Sequence, residues 1–127
     1  MLLGKRIAIV GSRKFGNYQQ LAATVSKIIV DGDSIVSGGA VGADSMAQRF
    51  ASEWGCIISI HYPNKRRYKG SGAYFARNKT IVEQSDIVLA FYAKGSFQQG
   101  GTANTVHWAK ELNVPYFEYE ELLMDEN

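Results

Sequence analysis

The stretch SIVSGGAVGADSMAQRFA, residues 34–51, decides how the rest of the chain is read. It opens as a short apolar run, which reads as a strand. It closes with apolar residues at helical spacing. Ala43, Met46, Ala47, Phe50, Ala51 and Trp54 fall at i, i+3, i+4, i+7, i+8 and i+11, the stripe of an amphipathic helix ended by Gly55. Gly38, Gly39 and Gly42 stand between strand and helix. Glycine there lets a ligand approach the backbone where a helix start exposes unpaired N–H groups.

The same grammar recurs on both sides. RIAIVGSR (6–13) is an apolar run ending at a glycine, the pattern of a buried strand. YQQLAATVSKIIVDGD (18–33) places Leu21, Ala22, Val25, Ile28 and Ile29 on one helical face, with Gly32 as the stop. CIISIHYP (56–63) is a third strand stopped by Pro63, and AYFARNKTIVEQS (73–85) a third helix. DIVLAFYA (86–93) is a fourth strand, TANTVHWAKELN (102–113) a fourth helix, and PYFEY (115–119) a short final strand before a possible last helical turn. Strict alternation predicts a parallel sheet covered by helices on both faces. Right-handed crossovers make it a Rossmann-like, doubly wound α/β fold of five strands, with expected order 3-2-1-4-5. The loops GSRKFG, SGGAVGAD and AKGSFQQGGT follow strands one, two and four, so they meet at one crevice beyond the carboxyl ends.

The bulk properties fit that reading. The 127 residues form a single domain, 1–127, with an acidic C-terminal tail over 118–127. Only two prolines occur, and no linker or internal repeat divides the chain. A net charge of +2 makes no case for nucleic acid. NKRRYKG (64–70) is basic and EYEELLMDEN (118–127) acidic, and each reads first as a solvated segment. The single Cys56 excludes an internal disulfide and reads as a buried, inert thiol. With two histidines, His61 and His107, no zinc set exists, and neither metal nor cofactor is expected. No apolar run reaches the ~18 residues of a membrane span, and MLLGKRIAIVG lacks a signal-peptide cleavage pattern. No membrane partner is expected, and the expected location is cytoplasmic.

Two glycine-opened helix starts facing one crevice suit an anion, most simply a phosphate or pyrophosphate. The candidate ligand residues are Gly11, Ser12 and Arg13 after strand one, and Ser37, Gly38, Gly39, Gly42 and Asp44 after strand two. Arg77 lies in the third helix, and Gly95, Ser96, Gly100, Gly101 and Thr102 follow strand four. Lys94 adds charge to the same loop. Asp44 either favours its helix start, binds a ribose or acts as an acid. Tyr62, Tyr68, Tyr74 and Phe97 are placed to stack on a base. Trp54 and Trp108 read as helix–sheet core and His107 as packing. GSRKFGNY is not a P-loop, because Asn17 and Tyr18 follow Gly16. GGAVGA lacks G-x-G-x-x-G spacing, and strand two ends without a ribose-binding acid, which argues against a nicotinamide dehydrogenase.

VGSR, IVSGGAVGAD, ARN and SD…KGSFQQGGT, in that order, resemble the SLOG superfamily from Arg6 to about Phe117. That superfamily includes the Lonely Guy (LOG) phosphoribohydrolases, the DNA-processing protein DprA and small stand-alone YspA-like domains, the last being the most similar in form. The resemblance implies a Rossmann-like nucleotide-binding domain. It matches the family's paired glycines to Gly38 and Gly39, its acidic position to Asp44, its arginine to Arg77 with Asn78 beside it, and its second glycine motif to Gly100, Gly101 and Thr102. In LOG enzymes that motif runs on to a glutamate that serves N-glycosidic cleavage, and here the position is Thr105. The expected function is binding of a nucleotide or nucleotide-derived ligand, AMP-like or ADP-ribose-like, as sensor or carrier. One alternative is an N-glycosidase on nucleotides, with Asp44 or another acid in place of the missing glutamate. Another is single-stranded nucleic-acid binding of DprA type through Lys65, Arg66, Arg67 and Lys69. LOG and DprA proteins pair through helices, so a homodimer or higher homo-oligomer is expected, with Trp108 or Tyr116 on the shared face.

Overall fold

A computed structural model of the chain describes residues 4–123. Its elements are β1 (Arg6–Gly11), α1 (Tyr18–Ser26), β2 (Ser34–Ser37), α2 (Ala43–Trp54), β3 (Ile58–Ile60), α3 (Ser71–Glu83), β4 (Ile87–Tyr92), α4 (Gly100–Glu111) and β5 (Tyr116–Glu120). The strands form one parallel sheet in the order β3-β2-β1-β4-β5, the order the alternation predicts. The direction of winding reverses between β1 and β4.

Side chains alternate across the sheet, so each apolar strand feeds two cores. Ile7 and Ile9 of β1 pack with Leu89 and Phe91 of β4 under α1 and α2, against Leu21, Val25 and Phe50. Ala8 and Val10 point the other way, with Val88, Ala90 and Tyr92, and meet Ile81, Val82 and Val106 of α3 and α4. Both central strands are buried on both faces. The carboxyl ends of β1 and β4 are thereby held rigidly side by side.

Several boundaries depart from the sequence expectation. Helix α1 stops at Ser26, short of Gly32, because the Ile28 and Ile29 N–H groups both donate to the Val25 carbonyl. Asp33 then ends the turn. Its carboxylate accepts the N–H groups of Val30 and Lys5 at 2.9 Å each and pairs with the Lys5 ammonium. Burial opposes ionisation of Asp33, but Lys5 and these hydrogen bonds outweigh it and lower its pKa. The acidic segment is not a tail from its start: Glu118 to Glu120 belong to β5, and residues 121–123 are not helical. Residues 124–127, where the rest of the expected tail and helical turn falls, lie outside the described residues. Trp54 is 43% exposed and stacks on Phe50 rather than filling the core. His107 is exposed, while Trp108 and Tyr116 pack partly buried against the α3–α4 core. Cys56 is half-buried, and burial raises its thiol pKa. Among the described residues no helix is long and apolar enough to cross a membrane.

Candidate functional site

A cleft of about 630 Å³ opens at the carboxyl ends of β1 and β4, where the winding reverses. That volume suits a small organic ligand. Gly11, Ser12 and Arg13 line it from the end of β1, Asp44 from α2, and Arg77 and Asn78 from α3. Ser96, Gly100, Gly101 and Thr102 line it from the β4–α4 loop and the start of α4. Ser37, Gly38, Gly39, Gly42 and Gly95 stand outside that lining.

The paired glycines have a packing role instead. A Cβ on Gly38 would lie 2.6 Å from Arg77 Nη1 and 3.0 Å from Asp44 Oδ2, so these two side chains close over this position. Gly39 has φ +73°, and a Cβ there would lie 2.7 Å from Ile60 Cγ2 and 2.6 Å from the Tyr62 ring. Only glycine adopts that conformation in that space without strain. Gly42 carries the start of α2 against the Ser12 and Arg13 carbonyls, which a Cβ would strike. The Ser37 hydroxyl accepts the Gly39 N–H at 3.4 Å.

Arg77 and Asn78 tie the walls together. Arg77 Nη1 donates to the carbonyls of Gly38 (2.7 Å) and His61 (3.4 Å), and Nε donates to Asn78 Oδ1 at 2.9 Å. Asn78 Nδ2 in turn donates to Gly101 O at 3.3 Å and Asn104 Oδ1 at 3.1 Å. One polar chain thus runs from the end of β2 through α3 to the first turn of α4. Arg77 Nη2 has no protein partner among the described residues. Ser12 Oγ accepts the Ala93 N–H at 3.0 Å, joining the ends of β1 and β4.

The two helix starts differ in charge. In α2, Asp44 is buried in the first turn and its Oδ2 accepts the Ala40 N–H at 3.1 Å. Burial raises its pKa against the opposing pull of that hydrogen bond, Arg77 and Arg13. In α4 the first turn has no acid, and the N-cap Gln99 makes no side-chain cap. The Thr102 hydroxyl has no protein partner among the described residues. Thr105, at the position of the LOG glutamate, back-bonds to the Gly101 carbonyl at 3.2 Å.

Ser71, Tyr74 and Ile81 also line the cleft. With Arg77 and Asn78 they form one stripe of α3, which helical spacing from Arg77 would have found. Lys14, Ala40 and Gln99 join from the loops. The Lys65 ammonium, foremost, and Arg13 hold the half-buried Tyr74's phenol below its ordinary pKa. Lys65 Nζ stands 5.6 Å from that ring's centre. Tyr62, Tyr68, His61, Arg67 and Lys79 line a second recess of about 390 Å³, which shares Arg77 with the cleft. Phe97 packs edge-on against Tyr92. Lys94 lines neither hollow.

The family model described as DNA recombination-mediator protein A matches residues 1–55. The solved structure of TM1055, a structural-genomics target, superposes with a TM-score of 0.62 at 18% identity, covering 88% of this chain and 72% of that one. At that identity the likeness is one of fold. The X-ray structure of DNA processing protein A (DprA) from Streptococcus pneumoniae superposes with a TM-score of 0.52, also at 18% identity. It covers 91% of this chain, which spans 58% of the DprA chain. No curated protein sequence matches the chain significantly.

Proposed function

We propose that the cleft binds a nucleotide or nucleotide-derived ligand, AMP-like or ADP-ribose-like, with a phosphate on the amino end of α4. The observation that carries this reading is the uncapped, acid-free start of α4 at Gly100, Gly101 and Thr102, opening into a cleft that also holds Arg13 and Arg77. Free N–H groups, helix dipole and guanidinium groups all favour an anion there. Tyr74 offers an aromatic face for the base. The match to DNA recombination-mediator protein A and the DprA-like fold support a role connected with nucleotides or nucleic acids. The test is a thermal-shift series: AMP raises the melting temperature and adenosine raises it much less. Ligand at a hundred times its dissociation constant stabilises by about 2.7 kcal/mol. Equal shifts from the two would remove the phosphate as anchor.

A second reading has its own observation. The recess beside the cleft brings Arg67, Lys79, Tyr62 and Tyr68 next to the shared Arg77, an arrangement suited to a single strand's phosphates and bases. If this surface tracks a strand, affinity for oligothymidine falls steeply with salt, and neutralising Lys65, Arg66, Arg67 and Lys69 flattens the slope. Tight binding at physiological salt would favour this reading over the small ligand.

A further inference from the structure

The acidic segment at the end of β5 bonds to both loops that border the cleft. One Glu121 carboxylate oxygen accepts the Gly16 N–H at 2.9 Å, in the loop between β1 and α1. The other accepts the Lys94 N–H at 3.4 Å, in the loop between β4 and α4. The Glu121 N–H donates to the Tyr92 carbonyl at 2.8 Å, which fixes the residue to the end of β4. Leu122 fastens the same segment to α1: its N–H donates to Gln20 Oε1 at 2.8 Å, and its carbonyl accepts Asn17 Nδ2 at 3.0 Å. Glu118 holds the second loop again, accepting the Tyr92 hydroxyl at 2.7 Å and Gln98 Nε2 at 3.2 Å. Gln98 is in the left-handed region (φ 61°), one residue before the N-cap of α4.

We propose that Glu121 is a positioning residue for the cleft. Its carboxylate ties the loop that carries Arg13 and Lys14 to the loop that carries the amino end of α4. The inference rests on the reading of the cleft as an anion site, because the spacing of these two loops matters when both must grip one ligand. A carboxylate suits the task because both of its oxygens accept hydrogen bonds. A glutamine has only one accepting atom and must release one loop. Once a loop is released, the competent spacing is populated only part of the time, and apparent affinity falls in proportion. The sign separates geometry from charge. Removing a negative charge near an anion site strengthens anion binding by itself, so weaker binding reports lost positioning.

The experiment compares Glu121→Gln, Glu121→Asp and Glu120→Gln in the full chain, with AMP as the probe and amide hydrogen exchange as a ligand-free readout. Glu120 is exposed, and its side chain makes no hydrogen bond among the described residues. Glu121→Gln should raise the AMP dissociation constant about tenfold and speed exchange at Ser96 and Gln99, beyond the directly bonded Gly16 and Lys94. Glu121→Asp keeps the charge but is one methylene too short to reach both loops, so it should weaken binding too. Glu120→Gln should change neither quantity. Wild-type AMP affinity in Glu121→Gln, or in Glu121→Asp while Glu121→Gln is weak, would overturn the positioning role. If the unmodified protein does not bind AMP, the ligand reading fails by itself. Exchange at Ser96 and Gln99 then judges the brace, and unaltered exchange in Glu121→Gln overturns it.

Discussion

Neither α2, after Gly42, nor α4, after Gln99, has a side-chain cap, but α2 carries the buried carboxyl of Asp44 in its first turn and α4 carries no acid there. Paired glycines precede α2 and open α4, and both starts face one cleft. The glycines before α2 are crowded: Gly38 by Arg77 and Asp44, Gly39 by Ile60 and Tyr62. Gly100 and Gly101 have nothing within 4 Å of where a Cβ would stand. Equal-looking glycine pairs therefore serve opposite ends. One pair lets protein close on protein, and the other leaves backbone N–H groups open to something else. The contrast also divides the charges, with a buried acid on one side of the cleft and an acid-free, positive helix end on the other.

The strongest way to break this contrast is Gly39→Val. It forces a β-branched residue into φ +73° against Ile60 and Tyr62, and should cost about 3 kcal/mol or more in denaturant unfolding. Gly101→Ala on the other side should be neutral or stabilise by up to about 1 kcal/mol, because the space is open and alanine favours the helix. Gly101→Asp makes α4 resemble α2. It should stabilise the helix start by about 0.3–1 kcal/mol yet weaken AMP binding roughly tenfold or more, measured by calorimetry. Loss of stability with unchanged AMP affinity would remove α4 as the anchor.

Asp44→Asn sharpens the contrast from the α2 side. Burial raises the Asp44 pKa, so the folded state holds this proton more tightly than the unfolded chain does. Stability from this group is therefore lost as pH rises from the ordinary carboxyl value through the raised one. Asp44→Asn should be more stable than the unmodified protein above that window, and the gap should close as pH falls through it. A gap of the same sign and size at low pH would assign the effect to packing rather than ionisation. The smallest expected effect is a null. Among the described residues Asp44 is the one acidic side chain lining the cleft, and Thr105 spends its hydroxyl on Gly101. N-glycosidic cleavage needs a carboxylate beside the developing charge on the ribose carbon. Incubation with AMP should release no free base by chromatography. Base release that Asp44→Asn stops without loss of binding would make Asp44 a catalytic residue.

The sheet order was legible because strands and helices alternate strictly, with Gly11, Gly38 and Pro63 marking where the first three apolar runs stop. The convergence of loops followed from that order. What escaped the sequence depends on partners far along the chain. Helix α1 ends early beside a turn that Asp33 pins to Lys5, 28 residues away. The acidic segment read as a solvated tail because the Gly16 N–H that Glu121 accepts lies 105 residues earlier. The Ser71–Tyr74 stripe lay within reach of helical spacing once Arg77 was singled out. Whether Gly38 and Gly39 face a ligand or a neighbouring side chain has no sequence signature, because both uses require the same absent Cβ.

The adjacency of β1 and β4 has a consequence for how the chain is made. Arg6 and Asp86, which bond at the start of that pair, stand 80 residues apart. The portion matched by the family model, residues 1–55, contains β1, α1, β2 and α2 and lacks β4. In that portion one side of β1 is an open edge, and the core under α1 and α2 lacks Leu89 and Phe91. Non-local pairing of this kind slows folding, since the loop must close before its contacts reward it. At ribosomal speed β4 follows α2 after an interval on the order of seconds. During that interval the bare edge of β1 is open to pairing with another chain.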